Sequence, residues 1–283
     1  FDANKHLAQA VVGDAKVSLN ELSVALGDWK AGEEWNKKSQ KELKAWNEHV
    51  DKESAPSNQE IPSYIQVIGA IYKNSDPSDI AVTAAGGLVG EVIQVWRPRE
   101  LNTHETEWGF SCMSYEISGA LGIKMANPDK EVISFVGDGS YLLNNTDIYS
   151  SVITNNKLII IVCDNGGFAV INRLQLFKGG NEYNNLLKSS NTPGLVDVDF
   201  AKHAESMGAK SEHVKSISDL EEAFKRAKKS DVTYVISIKT HAYQWLEGSA
   251  FWDSPTLEIP TTKENKQALK LHKEGKSKQR QGV

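Results

Sequence analysis

Cysteine, methionine and proline are scarce in this 283-residue chain, at two, three and eight copies. Two cysteines, Cys112 and Cys163, cannot build a disulfide framework and are expected to be reduced thiols of a cytoplasmic protein. No apolar run reaches the roughly 20 residues of a membrane-spanning helix. The first residues lack the basic-then-apolar order of a signal peptide. Basic charge is not in excess either: 32 Lys and Arg against 37 Asp and Glu leave a net charge of −5, so no broad positive field awaits nucleic acid. No internal repeat is present. What remains, 40% apolar and 24% charged residues, is the composition of an ordinary α/β protein.

Within that composition one constellation stands out. Gly137-Asp138-Gly139 follows the apolar, β-branched run Val132-Ile133-Ser134-Phe135-Val136. Asn165, in Cys163-Asp164-Asn165-Gly166-Gly167, follows a second such run, Leu158-Ile159-Ile160-Ile161-Val162. Runs of this kind are strands buried on both faces of a sheet. Between them Asn145 to Asn156 carries Ile148, Val152 and Ile153 at helical spacing. The unit is therefore βαβ, its strands parallel, with both loops at the carboxyl edge where open α/β sheets bind ligands. The Asp138 carboxylate, the Asn165 amide oxygen and a main-chain carbonyl freed by the glycines form a set of hard oxygens suited to Mg2+ or Ca2+. Mg2+ commonly completes its octahedron with phosphate oxygens and water, which implies a diphosphate cofactor.

The Gly-Asp-Gly, the spacer and the terminal Asn resemble the thiamine diphosphate fingerprint of the acetolactate synthase and pyruvate decarboxylase superfamily. The resemblance implies a doubly wound, mostly parallel sheet flanked by helices, with thiamine diphosphate and Mg2+ as cofactors. It implies Asp138, Asn165 and the Gly167 carbonyl as metal ligands. Gly109-Phe110-Ser111-Cys112-Met113, opening a helix through Ile117, Leu121 and Ile123, is similar to the family's Gly-x-Gly-Thr-Met-Gly stretch, although Ser111 and Ser114 stand where the family commonly has glycine. Met113 would then be the wedge that bends the cofactor, and Ser111 and Met113 would meet its pyrimidine through their backbone. A third element, Val82 to Leu88, reads as a strand ending in paired glycines, with Gly86, Gly87 and Leu88 lying against the diphosphate. Gly137, Gly139, Ser140 and Phe168 complete the expected cofactor contacts. His104 and Glu107 join Met113 as catalytic candidates, and Asn172, Arg173, Trp252 and Asp253 are weaker candidates for a substrate lid.

Three stretches, Glu107 to Glu116, Asp164 to Gln175 and Ala250 to Asp253, are similar to one branch of the superfamily, the trihydroxycyclohexanedione hydrolases of myo-inositol breakdown. That resemblance implies hydrolysis of a carbon–carbon bond in a small polyhydroxylated cyclic dione, opening the ring to a 5-deoxy sugar acid. An acetolactate synthase-like lyase, a 2-oxo acid decarboxylase and a noncatalytic cofactor-binding subunit stay open as alternatives.

Along the chain, residues 1–26 look like the last strand and helix of a preceding central domain. Residues 27–60, charged and bearing Trp29, Trp35 and Trp46, read as an interdomain linker with a helix. Residues 61–260 form the cofactor domain, which a helix with Ile65, Ile68 and Ile71 enters, and residues 261–283 form a basic tail, helical or disordered. Lys178 to Pro193 has little periodicity and is expected to be mobile until substrate binds. Helices are expected over Phe200 to Met207 and over Asp219 to Lys229, the second with Ser218 and Glu221 as a capping box, and a strand over Val232 to Ile238. The activating glutamate of the superfamily belongs to a separate pyrimidine-binding domain that is not recognisable here. The chain is thus expected to be the carboxyl-terminal part of a longer, homodimeric or homotetrameric enzyme, with no nucleic-acid or membrane partner.

Overall fold

A computed structural model describes residues 8–57, 59–192, 194–247 and 256–279. Its six strands are β1 (Ile80–Thr83), β2 (His104–Thr106), β3 (Val132–Gly137), β4 (Ile159–Asp164), β5 (Lys210–Val214) and β6 (Tyr234–Lys239). They form one sheet in the order β2-β1-β3-β4-β6-β5, and every pairing is parallel. All six residues of β4 are buried, as are Val132 to Val136 of β3. Layers of helix on both faces produce this continuous burial.

Side chains alternate between the two faces, as the period of a strand requires. Ile133, Phe135, Ile159 and Ile161 enter one core with α3 (Tyr64–Asn74), α4 (Gly86–Val95) and α10 (Ile217–Lys228), which contribute Ile68, Val92 and Phe224. Val132, Val136, Ile160 and Val162 enter the other. There they meet Ile117 of α5 (Tyr115–Ala126), Tyr141 of α6 (Asp138–Leu143), Ile148 of α7 (Thr146–Ile153) and Phe200 of α9 (Phe200–Ser206). The chain leaves β1 toward the first face and β3 toward the second, although the two strands are neighbours. Their carboxyl ends therefore flank a crevice, the topological switch point of a doubly wound sheet.

Most local expectations hold, with shifted boundaries. The helix between β3 and β4 is shorter than Asn145 to Asn156 and follows the separate turn α6, which begins at Asp138. Gly86 and Gly87 open α4 rather than closing β1, which ends at Thr83. The cap of α10 is Ser216, whose hydroxyl accepts from the Asp219 N–H at 3.1 Å. Burial of Ile217 draws that residue into the first turn, so the expected Ser218 and Glu221 box does not form; Glu221 instead accepts from Asn74 Nδ2. Ser63 and Gln66 do cap α3 reciprocally. Residues 8–14 form no strand and pair with none among the described residues, and α1 (Ala15–Leu26) buries none of its residues. Of the 27–60 stretch, α2 (Glu33–Glu53) leaves Trp35 exposed, but its end belongs to the core: Val50 is fully buried and Trp46 packs beside it. Past β6, α11 (Lys263–Ser277) is tied to the turn that follows α8 (Ala169–Phe177): Asn265 Nδ2 donates to the carbonyls of Lys178 and Gly179 at 3.2 and 2.8 Å.

The segment after β6 is held down by a buried acid. Both oxygens of Glu91, on α4, accept from the Leu246 N–H at 3.2 and 3.3 Å. Burial pushes this carboxyl up to about 7 against the pull of that N–H. A raised carboxyl pKa means that the folded state holds the proton more tightly than the unfolded chain. Stability is then lost as pH climbs from the ordinary carboxyl range to about 7, and the loss is complete above it. Glu91→Gln keeps an acceptor for Leu246 and removes the titration. Urea unfolding should find wild type and variant alike near pH 4, with the variant more stable by roughly 3 kcal/mol near pH 8; a pH-independent difference would rule this assignment out.

Candidate cofactor site

The register of the central strands decides what meets at the switch point. Gly137 lies opposite Cys163, and Asp164 opposite Lys239, so β3, β4 and β6 end level. Asp138 and Asn165 are consequently brought to one place from 27 positions apart, each one residue beyond a paired position. Asp138 Oδ2 accepts from the Gly167 N–H at 2.7 Å. Its other oxygen, Oδ1, is buried without a partner, and so is Asn165 Oδ1. The Asn165 amide nitrogen donates to the Tyr64 hydroxyl, which leaves the amide oxygen unengaged. Gly167 has φ 138, and a Cβ there would sit 2.5 Å from the Asn185 carbonyl, so glycine is needed for the close turn.

Burial pushes the Asp138 carboxyl up to about 7, with the nearby Asp164 charge adding to the effect and the N–H groups of Gly167 and Gly139 opposing it. Asp164 is itself buried but paired: Lys239 Nζ lies 2.6 Å away, and the Gly166 N–H donates to Oδ1 at 2.9 Å. Tyr64 is pushed above the usual phenol range by burial, then by Cys163 and Asp138. Two partnerless buried oxygens on neighbouring loops, one of them a carboxylate, suit a hard divalent cation. Among the described residues no group of three His, Cys, Asp or Glu is placed to hold a metal. The oxygen set here is instead a carboxylate, an amide and the main chain of a glycine turn.

A cavity of about 450 Å³ opens beside these atoms. Its wall includes every residue expected to contact the cofactor: Gly86, Gly87 and Leu88 from the start of α4, Ser111 and Met113, Gly137 to Ser140, and Asn165, Gly167 and Phe168. Met113 is 37% exposed, beside an apolar surface of Trp108, Val89, Ile171 and Leu174. The other two catalytic candidates are not in this wall. His104 stays on β2, with Nε2 3.0 Å from Thr106 Oγ1, and burial lowers its pKa. Glu107 is spent on its own loop, accepting from the N–H groups of Cys112 and Phe110 at 2.7 and 2.9 Å, which hold its carboxyl below the usual range. Asn172 is buried and donates to Glu182 at 3.1 Å, while Arg173 lies over the Trp245 ring at 4.8 Å. Trp252 and Asp253 lie outside the described residues. Both cysteines are free thiols, Cys112 exposed and Cys163 buried.

Sequence reasoning missed Tyr64, Trp108 and the α8 face of Val170, Ile171 and Leu174. Tyr64 carries no local signal, because its place in the cavity wall and its contact with Asn165 depend on a residue 101 positions away. Trp245 was missed too: its ring packs edge-on against Tyr64, 5.7 Å between centroids, and occupies the space that a Cβ on Gly87 would need. Of the stretch expected to be mobile, residues 178–192 carry a short helical turn at Leu187–Ser189 and an antiparallel bridge from Leu186 to Gly167, while Pro193 lies outside the described residues. Among the described residues no helix is long and apolar enough to cross a membrane.

Comparison with known proteins places this geometry in context. In curated sequences the chain is similar to the 3D-(3,5/4)-trihydroxycyclohexane-1,2-dione hydrolase of Geobacillus thermodenitrificans, with 34% identity over 97% of this chain and 47% of the relative. The proteins of the same name from Clostridium tetani and Bacillus subtilis are 33% and 34% identical, over 89% and 73% of this chain and 44% and 31% of theirs. The chain thus spans less than half the length of these relatives. Among solved structures, the thiamine diphosphate-dependent 4-hydroxybenzoylformate decarboxylase of Rhodococcus jostii RHA1 shares the fold, with a TM-score of 0.57 and 22% identity over 66% of this chain and 34% of that one. The model of the thiamine pyrophosphate enzyme C-terminal TPP-binding domain matches residues 84–238, from the end of β1 to the end of β6. Because that match covers more than half of the chain and contains the strand-end loops described above, the protein belongs to the thiamine pyrophosphate enzymes and carries their C-terminal cofactor-binding domain.

Proposed function

We propose that the chain is the cofactor-binding part of a cytoplasmic thiamine diphosphate-dependent hydrolase that opens the ring of trihydroxycyclohexane-1,2-dione to 5-deoxy-glucuronate in inositol breakdown. One observation carries the cofactor assignment: Asp138 Oδ1 and Asn165 Oδ1 are buried and partnerless at the carboxyl edge of the sheet. Relatives of that name, 33–34% identical over most of the chain, support the substrate.

In this reading Asp138, Asn165 and the Gly167 carbonyl hold Mg2+. The main chain of Gly86, Gly87 and Leu88, at the amino end of α4, receives the diphosphate, where free N–H groups and the helix dipole favour anions. Gly139 and Ser140, in the first turn of α6, close the wall beside the metal. Met113 packs against the cofactor ring and fixes its shape, Ser111 meets the pyrimidine through its backbone, and Trp108, Phe168 and Ile171 exclude water. When bound, thiamine diphosphate supplies a carbon nucleophile and an electron sink for cleavage of the bond between carbonyl and ring carbon. The activating glutamate and the rest of the substrate pocket come from preceding domains and a second subunit, in keeping with the share of the relatives' length that the chain spans.

Calorimetric titration with thiamine diphosphate and Mg2+ tests the site. Asp138→Ala should abolish Mg2+-dependent binding, and retained tight binding would sink the metal assignment. The proton on Asp138, held up to about 7, competes with the cation. Mg2+ affinity should therefore fall about tenfold per pH unit below that value and level off above it; a flat profile from pH 5 to 8 would contradict the assignment. Met113→Ala should spare Mg2+ affinity and slow turnover of the full-length enzyme by about 10- to 100-fold, the loss that follows small misplacement of reacting groups. Ring opening of trihydroxycyclohexanedione by that enzyme decides the substrate, and cofactor binding without ring opening would redirect the assignment to 2-oxo acids.

A further inference from the structure

One fully buried carboxylate has no part in the assignments above. Glu116, in the first turn of α5, has no exposed surface and lies between the loops that form the cofactor cavity. Its Oε1 accepts from the Ala85 N–H at 3.1 Å, just ahead of Gly86 and Gly87. Its Oε2 accepts from the Ser114 N–H at 2.8 Å, just past Met113. The base is anchored in turn, because Ser134 Oγ on β3 donates to the Glu116 carbonyl at 2.7 Å. Two loops, one following β1 and the other β2, thus converge on one buried carboxyl group.

The two serines that stand in place of glycine extend this link. Ser111 and Ser114 have φ 51 and 84, left-handed backbone that a residue with a Cβ adopts only when its surroundings enforce it. Ser111 Oγ donates to the Ala84 carbonyl at 3.1 Å, and Ser114 Oγ to the Ser140 carbonyl at 3.3 Å. The segment that carries Met113 is therefore tied at both ends, to the Gly86 loop on one side and to the metal loop on the other.

We propose that Glu116 is a positioning residue, a clasp that sets the Met113 segment at a fixed distance from the Gly86–Gly87 loop so that the two halves of the cofactor are gripped together. This rests on the cofactor reading given above. A diphosphate alone needs the Gly86 loop and the metal, whereas the whole cofactor needs both loops in register. Glu116 is therefore worth more to thiamine diphosphate than to inorganic pyrophosphate.

Glu116→Gln keeps size and places an NH2 donor against a backbone N–H. Glu116→Asp keeps charge and loses reach. In the 283-residue chain without ligand, either variant should speed amide exchange about tenfold or more at Ala85 and Ser114 together, while β3 and β4 amides stay protected, as expected for the loss of a charge-assisted hydrogen bond. With Mg2+ present, the Kd for thiamine diphosphate should rise about tenfold or more, while that for pyrophosphate should stay within about twofold. Equal weakening of both ligands, or faster exchange at one loop alone, would overturn the clasp as a positioning device. Should the wild-type chain bind pyrophosphate with Mg2+ and not thiamine diphosphate, the cofactor reading fails. The grip on the cofactor falls with it, and the exchange measurement then tests only the tie between the loops: joint deprotection supports that tie, and deprotection of one loop overturns it.

Discussion

Two oxygens without partners, Asp138 Oδ1 and Asn165 Oδ1, are the constraint around which the carboxyl edge of the sheet is organised. Each unsatisfied buried polar atom costs about 1–3 kcal/mol, and more when it carries charge. The fold sustains that cost by fixing everything else about the two residues. Gly167 occupies the second oxygen of Asp138, and Tyr64 occupies the nitrogen of Asn165. What is left is a pair of acceptors that neither side chain can turn away. The fully buried β3 and β4 supply the rigidity, since a one-residue slip between them would send every side chain to the opposite face.

Electrostatics around these atoms is arranged in layers. Asp138 meets a second buried carboxylate, Asp164, which raises its pKa, yet Asp164 is held by Lys239 from the neighbouring strand. The pairing follows from register, because the two residues lie directly opposite each other. Lys239 also reaches Asp197 at 2.7 Å, so the metal-side loop is coupled to the segment ahead of α9. A cation at Asp138 would face one uncompensated carboxylate rather than two. Glu91 and Glu116, the other buried acids of this region, serve a different purpose: both accept backbone N–H groups and hold segments, not charge.

Much of this was legible in the sequence, for identifiable reasons. Strands β3 and β4 carry continuous β-branched runs, and a parallel βαβ unit leaves little freedom about where their ends lie. Hence the sequence alone places Asp138, Asn165 and Gly167 together at one edge. Boundaries were less legible, since they depend on tertiary burial: Ile217 pulls the start of α10 forward to Ser216, and residues 8–14 pair with no strand among the described residues. Least legible were groups whose meaning lies in contacts made far along the chain. Tyr64 reads as the first residue of an amphipathic helix, and Trp245 as one aromatic after a strand. Glu107 and Glu116, nine positions apart, look alike as acids beside a motif. Only the fold distinguishes them, spending the first on the backbone of its own loop and burying the second between two loops.

The same contrast bears on Met113. A residue that shapes a cofactor must itself be held from behind, and Met113 is 37% exposed in this chain, with Trp108 and Phe110 beside it at 60% and 91%. Packing from its own domain therefore does not fix the Met113 side chain. Backbone ties do: the flanking serines anchor both ends of the segment, and Glu116 fixes its exit into α5. Such a segment has a defined path and an open outer face. In the proposed reading the open face is where preceding domains and a second subunit complete the site. The division of labour follows from the physics: hydrogen bonds inside the domain fix the path of the main chain, and apolar contact from outside it then needs to order little more than side chains.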